Sequence, residues 1–232
     1  MSNDARRALV TGASGGIGKA IAEHLLARGW RVHGLDVAVP TIDHAAFESA
    51  RVDLADRGAV AEAAANLRHV DALVHAAGVL KVGALGQLDH DAGALMWRLH
   101  VECASILADA IVPAMAQRGF GRVIFIGSRV AQGMPGRAQY AATKAALVAL
   151  ARSWAAELAA QHVTVNVISP AATQTAMLAD PARAAASPRV PPIGRFIEPE
   201  EIAALTAFLL SPAAVAITGQ DIAICGGASL PK

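Results

Sequence analysis

Short runs of β-branched and apolar residues recur along the chain and alternate with longer stretches dominated by Ala and Leu. The runs Ala8–Thr11, Arg31–Leu35, Ala50–Val52, Ala72–His75, Val123–Ile126, Val163–Ile168 and Asp221–Ile224 predict strands. The stretches 16–28, 56–68, 92–117, 139–160 and 199–210 predict helices. Val123-Ile124-Phe125-Ile126 lacks in-out alternation, as a strand covered on both faces should. Strands alternating with helices imply right-handed crossovers and an α/β fold: a doubly wound parallel sheet of about seven strands with helices on both faces. The 232 residues suit one domain spanning 1–232. Only 176–197, with Pro181, Pro188, Pro191, Pro192 and Gly194, breaks the alternation, and a long irregular segment of this kind reads as a lid over a substrate.

Composition narrows the function classes. At 54% hydrophobic and 17% charged, with a formal net charge of +1, the chain has no field to gather nucleic acid or an anionic membrane. Its basic residues come singly or in pairs such as Arg6–Arg7. No uncharged apolar run reaches the ~18–20 residues of a membrane helix. The N-terminus runs into the first strand without a signal peptide. Cys103 and Cys225 stand far apart, which suits reduced thiols in a cytoplasmic setting. No His/Cys spacing suggests a metal site.

The first strand runs into Thr11-Gly12-Ala13-Ser14-Gly15-Gly16-Ile17-Gly18 and then a helical pattern. Gly12 permits a tight turn, Gly16 lets the backbone approach a pyrophosphate, and Gly18 allows helix and strand to pack closely. The helix start then offers free N–H groups to the anion. A glycine-rich βα turn is a weak signal alone. The second strand, however, ends at Asp36, where a carboxylate that binds both adenosine ribose hydroxyls belongs. Asp36 would repel a 2′-phosphate, so the expected cofactor is NAD, with Lys19 and Arg31 as the cations able to weaken that preference.

With these features, the sequence resembles the short-chain dehydrogenase/reductase family over essentially its whole length. Thr11–Gly18 matches the family's Thr-Gly-x-x-x-Gly-x-Gly loop, and Asp53-Leu54 the pair beside the adenine. His75-Ala76-Ala77-Gly78 is similar to its Asn-Asn-Ala-Gly turn. Ser128 and Tyr140-Ala141-Ala142-Thr143-Lys144 match the catalytic serine and the Tyr-x-x-x-Lys motif. Pro170-Ala171-Ala172-Thr173-Gln174-Thr175 resembles the Pro-Gly-x-x-x-Thr segment, and Ile217-Thr218-Gly219-Gln220 with Gly226-Gly227 the C-terminal strand. The resemblance implies a Rossmann-type fold and a hydride transfer between nicotinamide and a secondary alcohol or ketone.

Tyr140 and Lys144 lie four apart on a predicted helix and so share one face. A phenol with a reference pKa of about 10 is a poor base, but a nearby ammonium and an oxidised nicotinamide favour the phenolate. In the family's mechanism the tyrosine moves the alcohol proton, Lys144 also holds the nicotinamide ribose, and Ser128 orients the carbonyl oxygen. Singly, these are a packing tyrosine, a solvated lysine and a strand-end cap; with the loop and Asp36 they make a site.

Two positions depart from the family. Its relay asparagine falls at His100, which either takes over the relay or stands by. Ala171 replaces the usual Gly before the carboxamide-binding Thr175. The expected pocket is bounded by Val130, Gln132, Met134 and Pro135 and by 176–190, a largely apolar mix; Arg129, Arg183 and Arg189 offer an acidic substrate a partner. Helices 92–117 and 139–160 are apolar on more than one face, which predicts a homo-oligomer, a tetramer by the resemblance. The alternatives are an NADPH-dependent 3-oxoacyl-type reductase and a weakly active nucleotide-binding partner subunit of the same fold.

Overall fold

A computed structural model describes residues 5–67, 69–178 and 189–230. Its seven strands are β1 (Arg7–Thr11), β2 (Arg31–Asp36), β3 (Phe47–Arg51), β4 (Ala72–His75), β5 (Gly121–Ile126), β6 (Val163–Pro170) and β7 (Asp221–Ile224). They form one sheet in the order β3-β2-β1-β4-β5-β6-β7. Every pairing is parallel, with Val10 beside Gly34 on one side and Val74 on the other. This is the doubly wound α/β sheet expected from the alternation. The third strand is the one displaced: it starts three residues before the expected Ala50–Val52, through the mixed sequence Phe47-Glu48-Ser49. An edge strand is half solvated, and its apolar signal is correspondingly weak.

The uniformly apolar strands do alternate once faces are assigned. Leu9, Leu73, Val123, Phe125, Val163, Val165 and Val167 point to one core. Ala8, Val10, Ala72, Val74, Ile124, Ile126 and Ile168 point to the other. The first core is covered by α2 (Arg57–Asn66), α4 (Cys103–Gln117) and α5 (Ala138–Leu158), the second by α1 (Gly16–Leu26) and α6 (Pro199–Leu210). Local chemistry starts these helices where the sequence changes character. Asp56 accepts from Ala59 N to open α2, and Asp89 accepts from Ala92 N to open α3 (His90–Trp97). Glu201 accepts from Glu198 N ahead of Pro199 in α6.

The long helix expected at 92–117 is interrupted. Between α3 and α4, residues Arg98–Glu102 form a π-turn in which Cys103 N bonds back to Arg98 O. The combined stretch His90–Gln117 is long and apolar enough to cross a membrane by length and composition alone, and half of its most apolar window is buried. That apolarity is used against the sheet, where Leu107 and Met115 are fully buried. Part of the expected lid, 179–188, lies outside the described residues.

Phe125 sits on a central strand with no exposed surface and meets Trp154 edge-on at 5.9 Å. Phe125→Ala should cost about 3–5 kcal/mol of stability, measured by chemical denaturation; a loss under about 1 kcal/mol would place the core elsewhere.

Candidate active site

The winding of the sheet reverses between β1 and β4, and a crevice opens beyond the strand ends at such a point. A cavity of about 980 Å³ occupies it. Asp36, Asp53 and Leu54 line one end; Ser128, Tyr140 and Lys144 line the other. Between them lie Gly12, Ser14, Gly16 and Ile17 of the first loop, Ala76, Ala77 and Gly78 after β4, and Pro170, Thr173 and Thr175 after β6. Two expected residues are not on this wall. Gly18 is buried behind the loop, where a Cβ would fall 2.2 Å from the Gly12 carbonyl oxygen; it lets α1 sit on β1 rather than touching a ligand. His100 is buried behind Gly78.

The loop fits an anion. Gly12 turns at φ +72°, and Gly15 opens α1 with no side chain to cap it. The first N–H groups of α1 are therefore free for a phosphate, on the positive end of the helix dipole. At the far end Asp36 is held by two backbone donors: Ser14 N to Oδ2 at 2.9 Å and Ala38 N to Oδ1 at 3.0 Å. Both leave lone pairs for hydroxyl donors. Lys19 approaches Glu23 at 3.7 Å and Arg31 approaches Glu48 at 4.0 Å. Arg51, unremarked in the sequence, is the register partner of Asp36 on β3 and donates to Val37 O at 3.3 Å.

Under the loop, the buried Thr11 hydroxyl accepts from Ala76 N and Ala77 N, each at 3.1 Å. Its proton is left for His75 Nδ1 at 2.9 Å, so His75 carries its own proton on Nε2. That Nε2–H faces the Leu99 and His100 carbonyls of the π-turn without closing to hydrogen-bond distance. Burial, with Lys144 nearby, lowers His75 to about 3, so it is neutral.

At the other end α5 delivers Tyr140 and Lys144 to one face. Lys144 Nζ donates to Ile126 O at 2.8 Å and stands 5.7 Å from the Tyr140 ring centroid. Only 4% of Lys144 is exposed, and burial lowers its ammonium to about 7. Ser128, at the end of β5, accepts from Val130 N at 3.2 Å and so caps the turn Arg129–Gln132 while lining the cavity. Behind Lys144, His100 accepts from Val79 N through Nε2 at 3.0 Å and meets Thr143 Oγ1 through Nδ1 at 2.8 Å. Thr143 in turn donates to Tyr140 O at 2.8 Å.

Val130, Met134 and Pro135 line the substrate end as expected, but Gln132 is exposed and off the wall. Leu80, Leu95, Leu99 and the largely buried Arg137 join it from parts of the sequence that carried no such signal. Ala176, Met177, Leu178 and Arg189 border it from the lid segment; Arg183 lies outside the described residues. Thr175 packs directly beside Gly16 on the cavity wall, where a Cβ on Gly16 would fall 3.3 Å from the threonine methyl.

Residues 12–229 match a family model described as enoyl-(acyl carrier protein) reductase. The chain is 36% identical over 241 residues to the 3-oxoacyl-(acyl-carrier-protein) reductase FabG of Salmonella typhimurium, covering 98% of each. Among solved structures it is similar to a short chain dehydrogenase/reductase family protein, at 33% identity and a TM-score of 0.87 over 98% of both chains. An actinorhodin polyketide ketoreductase solved with NADPH aligns at 26% identity and a TM-score of 0.87, also over 98% of both chains.

The buried lysine makes a prediction about stability. Below pH 7 Lys144 is charged in the folded and unfolded chains, and its burial penalty applies in full. Between about 7 and its ordinary value near 10.4 the folded chain has released the proton and the unfolded chain has not, so stability climbs with pH. Lys144→Met should therefore be more stable than the wild type near neutral pH, by about 1–4 kcal/mol, and lack that climb. Denaturation at pH 6, 8 and 10 checks this; parallel curves for the two proteins would refute it.

Proposed function

Because the chain belongs to the short-chain dehydrogenase/reductase family, we propose that it is an NAD(H)-dependent oxidoreductase acting on a secondary alcohol or ketone. One observation carries this reading: Ser128, Tyr140 and Lys144 line one end of a cavity whose other end holds Asp36 and whose middle is an uncapped helix start. The cavity fits a dinucleotide. Asp36 and Asp53-Leu54 would hold the adenosine, the α1 N-terminus the pyrophosphate, and Ala76, Ala77, Gly78, Pro170, Thr173 and Thr175 the nicotinamide half. When bound, the nicotinamide accepts or supplies the hydride.

The chain's own residues handle the proton. In the oxidative direction Tyr140 takes the hydroxyl proton as the alcohol carbon gives up its hydride; in reduction it returns a proton to the carbonyl oxygen. Lys144 places positive charge beside the phenol ring, which favours its anion, and would hold the nicotinamide ribose. Ser128 can donate to the substrate oxygen while its own oxygen accepts from Val130 N. Val130, Met134, Leu80 and Leu95 give the substrate an apolar seat.

The NAD preference rests on Asp36, fixed by two amides at the adenosine end. The second reading, an NADPH-dependent 3-oxoacyl-type reductase, is favoured by Arg51 beside Asp36 and by the relatives' names. Two free thiols, Cys103 and Cys225, fit a cytoplasmic, reducing setting. Ala110, Pro113 and Ala114 on α4 and Ala142, Ala145 and Ala149 on α5 are exposed small residues, which supports a homotetramer assembled through these helices.

Turnover of a secondary alcohol panel with NAD, followed by cofactor absorbance, is the direct test. Tyr140→Phe should lower kcat by at least about 100-fold. The kcat/KM with NADH should exceed that with NADPH, and Asp36→Ala should shrink the ratio by roughly 10- to 100-fold, about 1.4–2.7 kcal/mol. A wild-type preference for NADPH selects the second reading. Cofactor binding with no turnover across alcohols and ketones selects a nucleotide-binding partner subunit instead. Light scattering should give four times the 23.7 kDa chain mass; a monomer mass ends the tetramer.

A further inference from the structure

His100 stands at the position where the resemblance puts a relay asparagine, and its surroundings decide what it can do. The Thr143 hydroxyl has one proton, and that proton goes to Tyr140 O at 2.8 Å. Toward His100 Nδ1, 2.8 Å away, Thr143 can only accept, so Nδ1 carries the hydrogen. Nε2 is then the lone-pair nitrogen, and Val79 N donates to it at 3.0 Å. The two contacts require the same tautomer.

Both ring nitrogens are thus occupied by groups that carry no transferable proton for substrate. Protonating Nε2 would set two N–H groups against each other at Val79, stranding a buried donor at about 1–3 kcal/mol. The ring has no exposed surface. The charged and titratable groups packed around it are Lys144, His75 and the edge-on ring of Tyr140, 5.7 Å between centroids. Lys144 and His75 both disfavour an imidazolium, and burial adds to them. Gly78 leaves the ring its space, since a Cβ there would fall 3.0 Å from Nε2 and 3.6 Å from Lys144 Nζ.

We propose that His100 is a positioning residue, a neutral Nδ1-protonated imidazole that pins Val79 and the Tyr140 turn to the π-turn and passes no proton. It joins three elements that share no backbone pairing: the segment after β4 that leads to Leu80 on the cavity wall, the π-turn itself, and the first turn of α5. The inference deepens the oxidoreductase reading and rests on it for its kinetic part.

The experiment combines a spectrum with a pair of variants. Gln carries an amide oxygen about as far from the backbone as Nε2 and does not titrate, so His100→Gln keeps an acceptor for Val79. His100→Leu keeps bulk and removes the acceptor. In protein labelled with 15N-histidine, with His100 assigned by its absence from His100→Gln, the ring should show a protonated Nδ1, an unprotonated Nε2 and no titration between pH 5.5 and 9. His100→Gln should keep kcat within about threefold, with an unchanged pH profile. His100→Leu should lose at least tenfold in kcat with a smaller change in KM. A ring that titrates across the active pH range, a protonated Nε2, or a His100→Gln variant that loses a limb of the pH profile overturns the proposal. A wild type that turns over no alcohol or ketone removes the oxidoreductase reading, and the imidazole spectrum then decides this one by itself.

Discussion

Where the sheet reverses its winding, the ends of β1 and β4 lie side by side with no strand to satisfy the backbone that leaves them. One hydroxyl closes that gap. Thr11 accepts from two successive amides after β4 and donates to His75, so the glycine loop and the turn at Ala76–Gly78 are fixed relative to each other. The rest of the cavity is referred to this tie. The loop places the start of α1, and the turn places Gly78 and Val79 over His100, which reaches on to Thr143 and α5. A chain of neutral hydrogen-bonding groups therefore runs from the phosphate-binding end of the crevice to its lysine end. Such a network rigidifies only if every member is satisfied, and the one member left open, His75 Nε2, faces the carbonyls of the π-turn.

The site also stores an unfavourable term. Lys144 has lost nearly all its water and keeps one backbone acceptor, Ile126 O. Nothing in packing asks for a lysine there; a methionine would fill the space with no charge to desolvate. An ammonium held against that cost beside a phenol is what a functional requirement looks like in energetic terms. The neighbouring histidines answer it by staying neutral, so neither His75 nor His100 adds a second charge beside the ammonium.

Much of this was legible in the sequence because the physics involved is local. Strands buried on both faces read as unbroken apolar runs, and β4 and β5 fall where those runs lie. Gly12, Asp36, Ser128, Tyr140 and Lys144 sit where strand ends and helix starts put them. The edge strand β3 was misplaced because half its residues face water. The π-turn was invisible, since one surplus residue in a helix changes neither composition nor apolar spacing enough to notice. Its consequence was hidden with it: His100 looked like a ligand-facing residue on a long helix and lies instead behind the wall. Thr143 was in plain sight between Tyr140 and Lys144, but its partner is 43 positions away. Arg137 and Arg51 owe their places to pairings across the sheet and loops, and no periodicity encodes those.

The π-turn at Arg98–Glu102 also sets a rule on chain length. Each residue of a regular helix advances the azimuth by about 100°, so removing one residue here would rotate α3 by roughly that angle against α4. Met96, now fully buried against the substrate-side cluster, would swing away while Leu107 and Met115 kept their seats on the sheet. Substitutions in this segment can be absorbed one side chain at a time. A single-codon deletion cannot, because it dephases two helices at once: the number of residues between Asp89 and Cys103 is itself a structural constraint.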